Sequence, residues 1–248
     1  MKRKYYYNGL CAIALLLCMS CHNDKQQVEE EQKVGTSTKI EGDSTLYGLA
    51  CDGCSDSVLV FLPGKGGNPV TYDILEATKR HKVIGRPKVG DWVAVLLNGK
   101  DTTVADMVID LDQLKGTWVK QVMPMVREQA EQMPVAADQE EKDSIIQTMM
   151  KPIEMGFSLK RHYTAQTVGR RQRRQRQDND SPIRYPIVKN YTKWHVFNGS
   201  LILTSEERNR NDSVAGPITN DTVEFVFLTR DSLRLRFKDG EKGFYRKK

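Results

Sequence analysis

The sequence predicts an all-β fold: a small N-terminal β-barrel of the OB or SH3-like kind, then an up-and-down antiparallel barrel carrying a short helical insert. Three observations predict it. Runs rich in Val, Leu, Ile and aromatics, each bounded by Gly, Pro, Asp or Asn, recur from Ser44 onward, the pattern of strands joined by turns. Asn198-Gly199 lies between two such runs and is the strongest two-residue hairpin signal. Pro124, Pro134 and Pro152 divide the one region with helical spacing, which excludes a long continuous helix.

Residues 1–20 read as an export signal. Lys2, Arg3 and Lys4 precede an uncharged apolar run, Leu10 to Met19. At about ten residues this run is half the roughly 20 that a spanning helix needs. It ends in Cys18-Met19-Ser20-Cys21, which resembles the bacterial lipobox, although Cys18 stands where that pattern prefers Leu. The resemblance implies cleavage before Cys21 and acylation of its thiol. The alternative is an ordinary secretory peptide cut elsewhere. Several acyl chains on one residue hold firmly where a single chain does not, so the membrane is an expected partner, reached through lipid. Loss of residues 1–20 lowers the formal charge from +6 to +3, so half of the basicity belongs to the signal.

Residues 21–43 form an acidic tether with almost nothing apolar to bury, from Gln26 through Gln32. An acidic stretch after the acylated cysteine resembles the surface-export signal of some Gram-negative lipoproteins; a solvated spacer explains it equally well. The expected residence is the cell envelope, on the outer membrane.

Residues 44–111 form the small β-domain. Its strands are Thr45 to Ala50, Ser57 to Leu62, Trp92 to Leu97 and Thr103 to Ile109. Gly64 to Pro69 is a turn, since Gly64-Lys65-Gly66-Gly67 lacks the spacing of a phosphate loop. Periodicity leaves Tyr72 to Lys79 open between strand and a single helical turn.

Residues 112–248 form the second domain. Gln113 to Val119 opens it as a strand. Asp138 with Glu141 suggests a helix cap, and the pairs Ile145/Met149 and Ile146/Met150 give an apolar face at i, i+4 spacing. The hairpin at Asn198-Gly199 and runs at Val223–Leu228, Leu233–Phe237 and Gly243–Arg246 then describe a meander.

Leu114-Lys115-Gly116-Thr117-Trp118, Tyr191 to Trp194, Asn198 to Thr204 and Leu228 to Leu233 together resemble the bacterial lipocalin-like lipoproteins over roughly residues 112–248. That resemblance implies an eight-stranded barrel, a small apolar or amphipathic ligand, and a Gly-x-Trp indole closing the barrel base beneath an arginine from the last strands. Trp118 would take that role with Arg234 or Arg236. The inward residues Trp194, Leu201, Leu203, Phe225 and Phe227 would line the ligand space. The helical insert and an arginine-rich segment near residue 170 depart from the family.

The chemistry-bearing residues argue against an enzyme. The four histidines are scattered, and no Ser-His-Asp set, paired carboxylates or metal box emerges; no cofactor or metal is expected. Cys51-Asp52-Gly53-Cys54 has a spacing that serves redox exchange, metal binding or a simple disulfide. Asp-Gly between two strands marks a hairpin, not the helix N-terminus that activates a thiol. A disulfide in an oxidising compartment is the expectation, with reduced thiols as the alternative. Arg170, Arg171, Arg173, Arg174 and Arg176, with no acid from Lys160 to Arg176, suit a solvated loop or contact with an anionic glycolipid; outside the cell a nucleic-acid partner is not expected. The expected function is a non-catalytic envelope lipoprotein that binds a small ligand in its barrel. The competing class is a structural lipoprotein with filled barrels that binds another envelope component or an anionic glycolipid; a lysozyme-type inhibitor is a third.

Overall fold

The structure, a computed structural model, describes residues 40–126, 144, 147–169, 183–186, 188–206 and 216–248. The first sheet contains β1 (Leu46–Ala50), β2 (Val58–Pro63), β3 (Val70–Asp73), β4 (Val83–Ile84), β5 (Trp92–Leu97) and β6 (Ala105–Asp110). Their order is β3-β2-β1-β5-β6-β4, antiparallel except where β4 joins β6. Asp73 forms a parallel bridge to Val104 and donates its N–H to Thr103 O at 2.9 Å. That bridge draws the β3 edge against the chain entering β6 and curls the sheet, which protects the edge from pairing with other chains.

The ambiguous stretch from Tyr72 resolves into both alternatives. β3 ends at Asp73, whose carboxylate accepts from Leu75 N at 2.8 Å, and α1 (Leu75–Lys79) follows. β5 and β6 are buried on both faces, which explains their unbroken apolar runs. Val93, Val95 and Val108 pack with Leu59, Phe61, Tyr72 and Ala77 on the α1 side. On the opposite face Ile84, Ala94, Met107 and Ile109 join a second core shared with the barrel.

α2 (Leu111–Leu114) connects the sheets, its N-cap Asp110 accepting from Gln113 N at 2.8 Å. The barrel strands begin with β7 (Gly116–Val122). β8 (Met125–Val126) follows, then β9 (Ile153–Leu159), β10 (Ala165–Val168), β11 (Ile183–Arg184) and β12 (Tyr191–Phe197). The meander is completed by β13 (Ser200–Ser205), β14 (Thr219–Leu228), β15 (Ser232–Phe237) and β16 (Gly240–Arg246). β8 and β11 pair only with each other. The other eight run antiparallel in the order β10-β9-β7-β16-β15-β14-β13-β12, which is chain order with the last strand returning to the first.

The remaining seam, between β10 and β12, is nearly closed. Thr164 bridges Lys193, and Tyr191 N donates to Thr167 Oγ1 at 2.8 Å, whose hydroxyl donates to Lys189 O at 2.7 Å. Trp194 Nε1 donates to Lys160 O at 2.9 Å across the same seam. The fold is thus all-β with a lipocalin-like eight-stranded barrel. Two of its strands escaped the sequence reading: β9, with Met155, Phe157 and Leu159 alternating inward, and β10. Gly156 allows β9 to close on β7, since a Cβ there would lie 2.0 Å from Trp118 O. Of the expected helix, Ser144 and Gln147–Met149 are helical; Asp138, Glu141, Ile145 and Ile146 lie outside the described residues.

Candidate functional site

Trp118 is fully buried at the barrel base, its indole N–H donating to Leu114 O at 2.8 Å. The arginine over it is Arg246, not Arg234 or Arg236. β16 pairs with β7 so that Arg246 lies directly opposite Trp118, and its guanidinium sits 4.2 Å from the ring centre. It donates to Lys115 O at 2.7 Å, to Gln113 O and to Arg230 O at 2.6 Å, tying α2 and the β14–β15 turn to the base. Burial, with Arg230 nearby, holds its pKa below the usual arginine range against the attraction of Asp231. Gly116 is glycine for two reasons: φ is +142°, and a Cβ would meet Arg246 Nη1 at 2.1 Å. Arg234 instead faces outward over Phe227, 5.1 Å from its ring centre, and Arg236 pairs on the surface with Glu224 and Glu241 at 3.1 and 2.7 Å.

The residues expected to line a ligand space divide. Trp194, Leu201, Leu203 and Phe225 are buried in one cluster with Trp118, Phe157, Leu233 and Leu235, so the barrel interior is occupied by packed side chains. Phe227 is not among them. A register shift between Phe225 and Phe227 on the β14–β15 ladder turns Phe227 out of the lumen.

Phe227 lines an open cleft of about 1400 Å3 between the first sheet and the barrel base. Leu59, Ile74, Val83, Val108 and Leu228 give it apolar walls. Arg86, Lys88, Arg230 and Arg246 stand around it. Among the described residues none of these four cations has a carboxylate partner. The acids Asp91 and Asp112 are taken up by the local chain, accepting from Lys88 N at 2.7 Å and from Trp92 N at 2.6 Å, and Asp112 also pairs with Lys115. Asp56 is exposed at the same mouth.

Asp110 also lines the cleft and is 1% exposed. One carboxylate oxygen caps α2, while Oδ2 has no hydrogen-bond partner. Burial, reinforced by the charges of Asp91 and Asp112, pushes its pKa up to about 6 against the opposing effect of the Gln113 hydrogen bond. Among the described residues no three His, Cys, Asp or Glu side chains gather as metal ligands.

Cys51 and Cys54 are separate thiols and not the expected disulfide. The loop turns them to different partners: Cys54 Sγ lies 3.1 Å from Cys51 O and accepts from Val60 N at 3.3 Å, and Cys51 Sγ faces Leu49 O. Cys21 and the arginines 170, 171, 173, 174 and 176 lie outside the described residues. Sequence reasoning missed a junction near the start of the described chain. Asp43 accepts from Asn198 N at 3.2 Å and from Tyr47 O–H at 3.0 Å, and Ser44 donates to Asn198 Oδ1 at 2.8 Å. Against the effect of burial, hydrogen bonds from Thr45, whose N–H donates at 2.9 Å, and from Asn198 and Tyr47 hold the Asp43 carboxyl below its ordinary pKa. Sequence separations above 150 residues left no local signal for it.

The up-and-down connectivity, the filled interior and the tryptophan–arginine base define a lipocalin-like barrel. The lipocalin-like family model matches residues 188–248, covering β12 to β16. No curated protein matches the chain at a significant level, and no solved structure does.

Proposed function

We propose that the protein is a non-catalytic envelope lipoprotein, anchored through acylated Cys21, that holds a small amphipathic molecule in the cleft between its first sheet and the barrel base. The observation that carries this reading is the contrast between two spaces. The barrel interior is occupied by side chains such as Trp194, Leu201 and Leu203, each 2% exposed or less. The cleft beside it is open, about 1400 Å3 in volume, and walled by both apolar and charged groups, the mixture that orients small ligands. The lipocalin-like fold supports binding in place of catalysis. The strand order of the first sheet, with its parallel Asp73–Val104 bridge, supports reading that module as an OB-type barrel.

The test is native mass spectrometry on the mature protein extracted from its own membranes, beside a Val83→Trp variant that fills the cleft. A bound small molecule lost in the variant is the expected result. A ligand retained by Val83→Trp, or none in either protein, would overturn the proposal. The filled interior favours one second reading, a structural lipoprotein that binds another envelope component or an anionic glycolipid; it predicts that Val83→Trp changes nothing in what co-purifies.

A further inference from the structure

Three candidates stand out beyond the reading above: the Cys51–Cys54 loop, the exposed apolar side chains Met123, Met125, Val126 and Met149, and the charge balance of the cleft. The thiols are engaged by the backbone of their own loop and of Val60, and nothing shows what covers the apolar patch.

We infer that the cleft selects amphiphiles by charge: a single-chain anion whose head meets Arg230, Arg246 and Arg86, with its apolar body along Leu228, Phe227 and Val83. This rests on the reading that the cleft is a binding site and deepens it by naming the ligand class. Arg246 and Arg230 bring two like charges together at the β14–β15 turn, where Asp231 also acts on Arg246 without reaching it as an ion pair. The Arg246 guanidinium has five N–H groups and commits three nitrogens to carbonyl oxygens, none to a carboxylate. Carbonyl dipoles satisfy hydrogen bonds but leave a full positive charge in a half-buried position. Arg86 and Lys88 reach the same space from the loop before β5 and are also unpaired among the described residues.

Of the acids that line the cleft, Asp112 pairs with Lys115. Asp91 accepts from Lys88 N and keeps its charge beside that loop, Asp56 stands at the mouth and Asp110 at the buried end, so the cationic character is local to Arg230, Arg246 and Arg86. The apolar wall adjoins the cations directly, since Leu228 and Phe227 immediately precede the turn that carries Arg230. A planar carboxylate or a phosphate head suits guanidinium donors. A chain lying on the apolar wall supplies the remaining affinity. An isolated anion would gain only the first, and a neutral or cationic amphiphile only the second.

The experiment uses unacylated Cys21→Ser protein titrated by calorimetry with four probes: laurate, dodecyl phosphate, dodecyltrimethylammonium and inorganic phosphate. Laurate and dodecyl phosphate are expected to bind one to one, with dodecyltrimethylammonium and inorganic phosphate at least about tenfold weaker, a difference near 1.4 kcal/mol. Arg230→Ala and Arg86→Ala, both at exposed positions where folding is not at stake, are each expected to weaken laurate by about three- to tenfold. Equal affinity for laurate and dodecyltrimethylammonium would overturn the charge selection, as would two arginine variants that bind laurate like the parent protein. Those results leave the cleft standing as a binding site if the native ligand is still lost in Val83→Trp; absence of any ligand or probe binding overturns both.

Discussion

Replacing Asp110 by asparagine tests whether the buried carboxyl at the cleft is held against its own charge. The group moves from an ordinary value of 3.8 to about 6 in the folded protein. Between those values the folded state binds more protons than the unfolded one, so stability falls as pH rises through the window and levels off above about pH 7. A shift of about two units at about 1.4 kcal/mol each bounds the cost of ionised Asp110 at roughly 3 kcal/mol at neutral pH. Asparagine keeps the Oδ1 acceptor that caps Gln113 N but places an amide where Oδ2 has no partner, costing about 1–2 kcal/mol. The variant is therefore expected to be more stable than the parent by about 1–2 kcal/mol near pH 8, and less stable by a similar amount near pH 4. Urea titrations of both proteins in the Cys21→Ser background, across that pH range, measure the difference directly. A gap that does not change with pH would refute the reasoning, as would a parent protein that gains on the variant as pH rises.

Four further outcomes are expected. Arg246→Ala removes three hydrogen bonds and the contact over Trp118 and should destabilise by about 2–4 kcal/mol. Gly116→Ala should cost about 1–3 kcal/mol alone. It should cost at least about 1 kcal/mol less once Arg246 is alanine, so an additive double-mutant cycle would contradict the contact between them. Trp194→Phe loses the hydrogen bond to Lys160 O across the β10–β12 seam and should lower stability by about 1–3 kcal/mol; a change within about 0.5 kcal/mol would place the seam's strength elsewhere. Cys21→Ser is expected to leave the protein in the soluble periplasmic fraction, and continued fractionation with membranes would count against acylation there.

The hairpin β12–β13 and the run β14 to β16 were legible because tight turns separate their strands: Asn198-Gly199, Arg230-Asp231 and Asp239-Gly240 each fix a short connection. β9 was hidden by its surroundings. Met155, Phe157 and Leu159 alternate correctly, but Gly156 interrupts the run, and its reason is a neighbouring strand that local pattern does not contain. The base arginine was misassigned for a similar cause. Arg234, Arg236 and Arg246 all sit on late strands, and only the pairing of β16 with β7 distinguishes them. Phe227 was placed inward by strict alternation, which a single register shift after Phe225 reverses. The cleft was not legible at all, because its walls come from α1, the loop before β5 and the β14–β15 turn, segments far apart in sequence.

The bond from Arg246 to Lys115 spans 131 residues, which bears on the order of assembly. The first sheet draws its ladders from positions 46 to 110 and needs no distant strand, whereas the barrel cannot shut until its final strand returns to its first. The contacts of longest separation bear the largest loop-closure entropy and are made last, and an open barrel presents Trp118 and its apolar neighbours to solvent until then. Shutting is then expected after the rate-limiting step, so Arg246→Ala should accelerate unfolding and hardly alter the refolding rate. Stopped-flow refolding that slows in proportion to the lost stability would instead put the arginine in the nucleus.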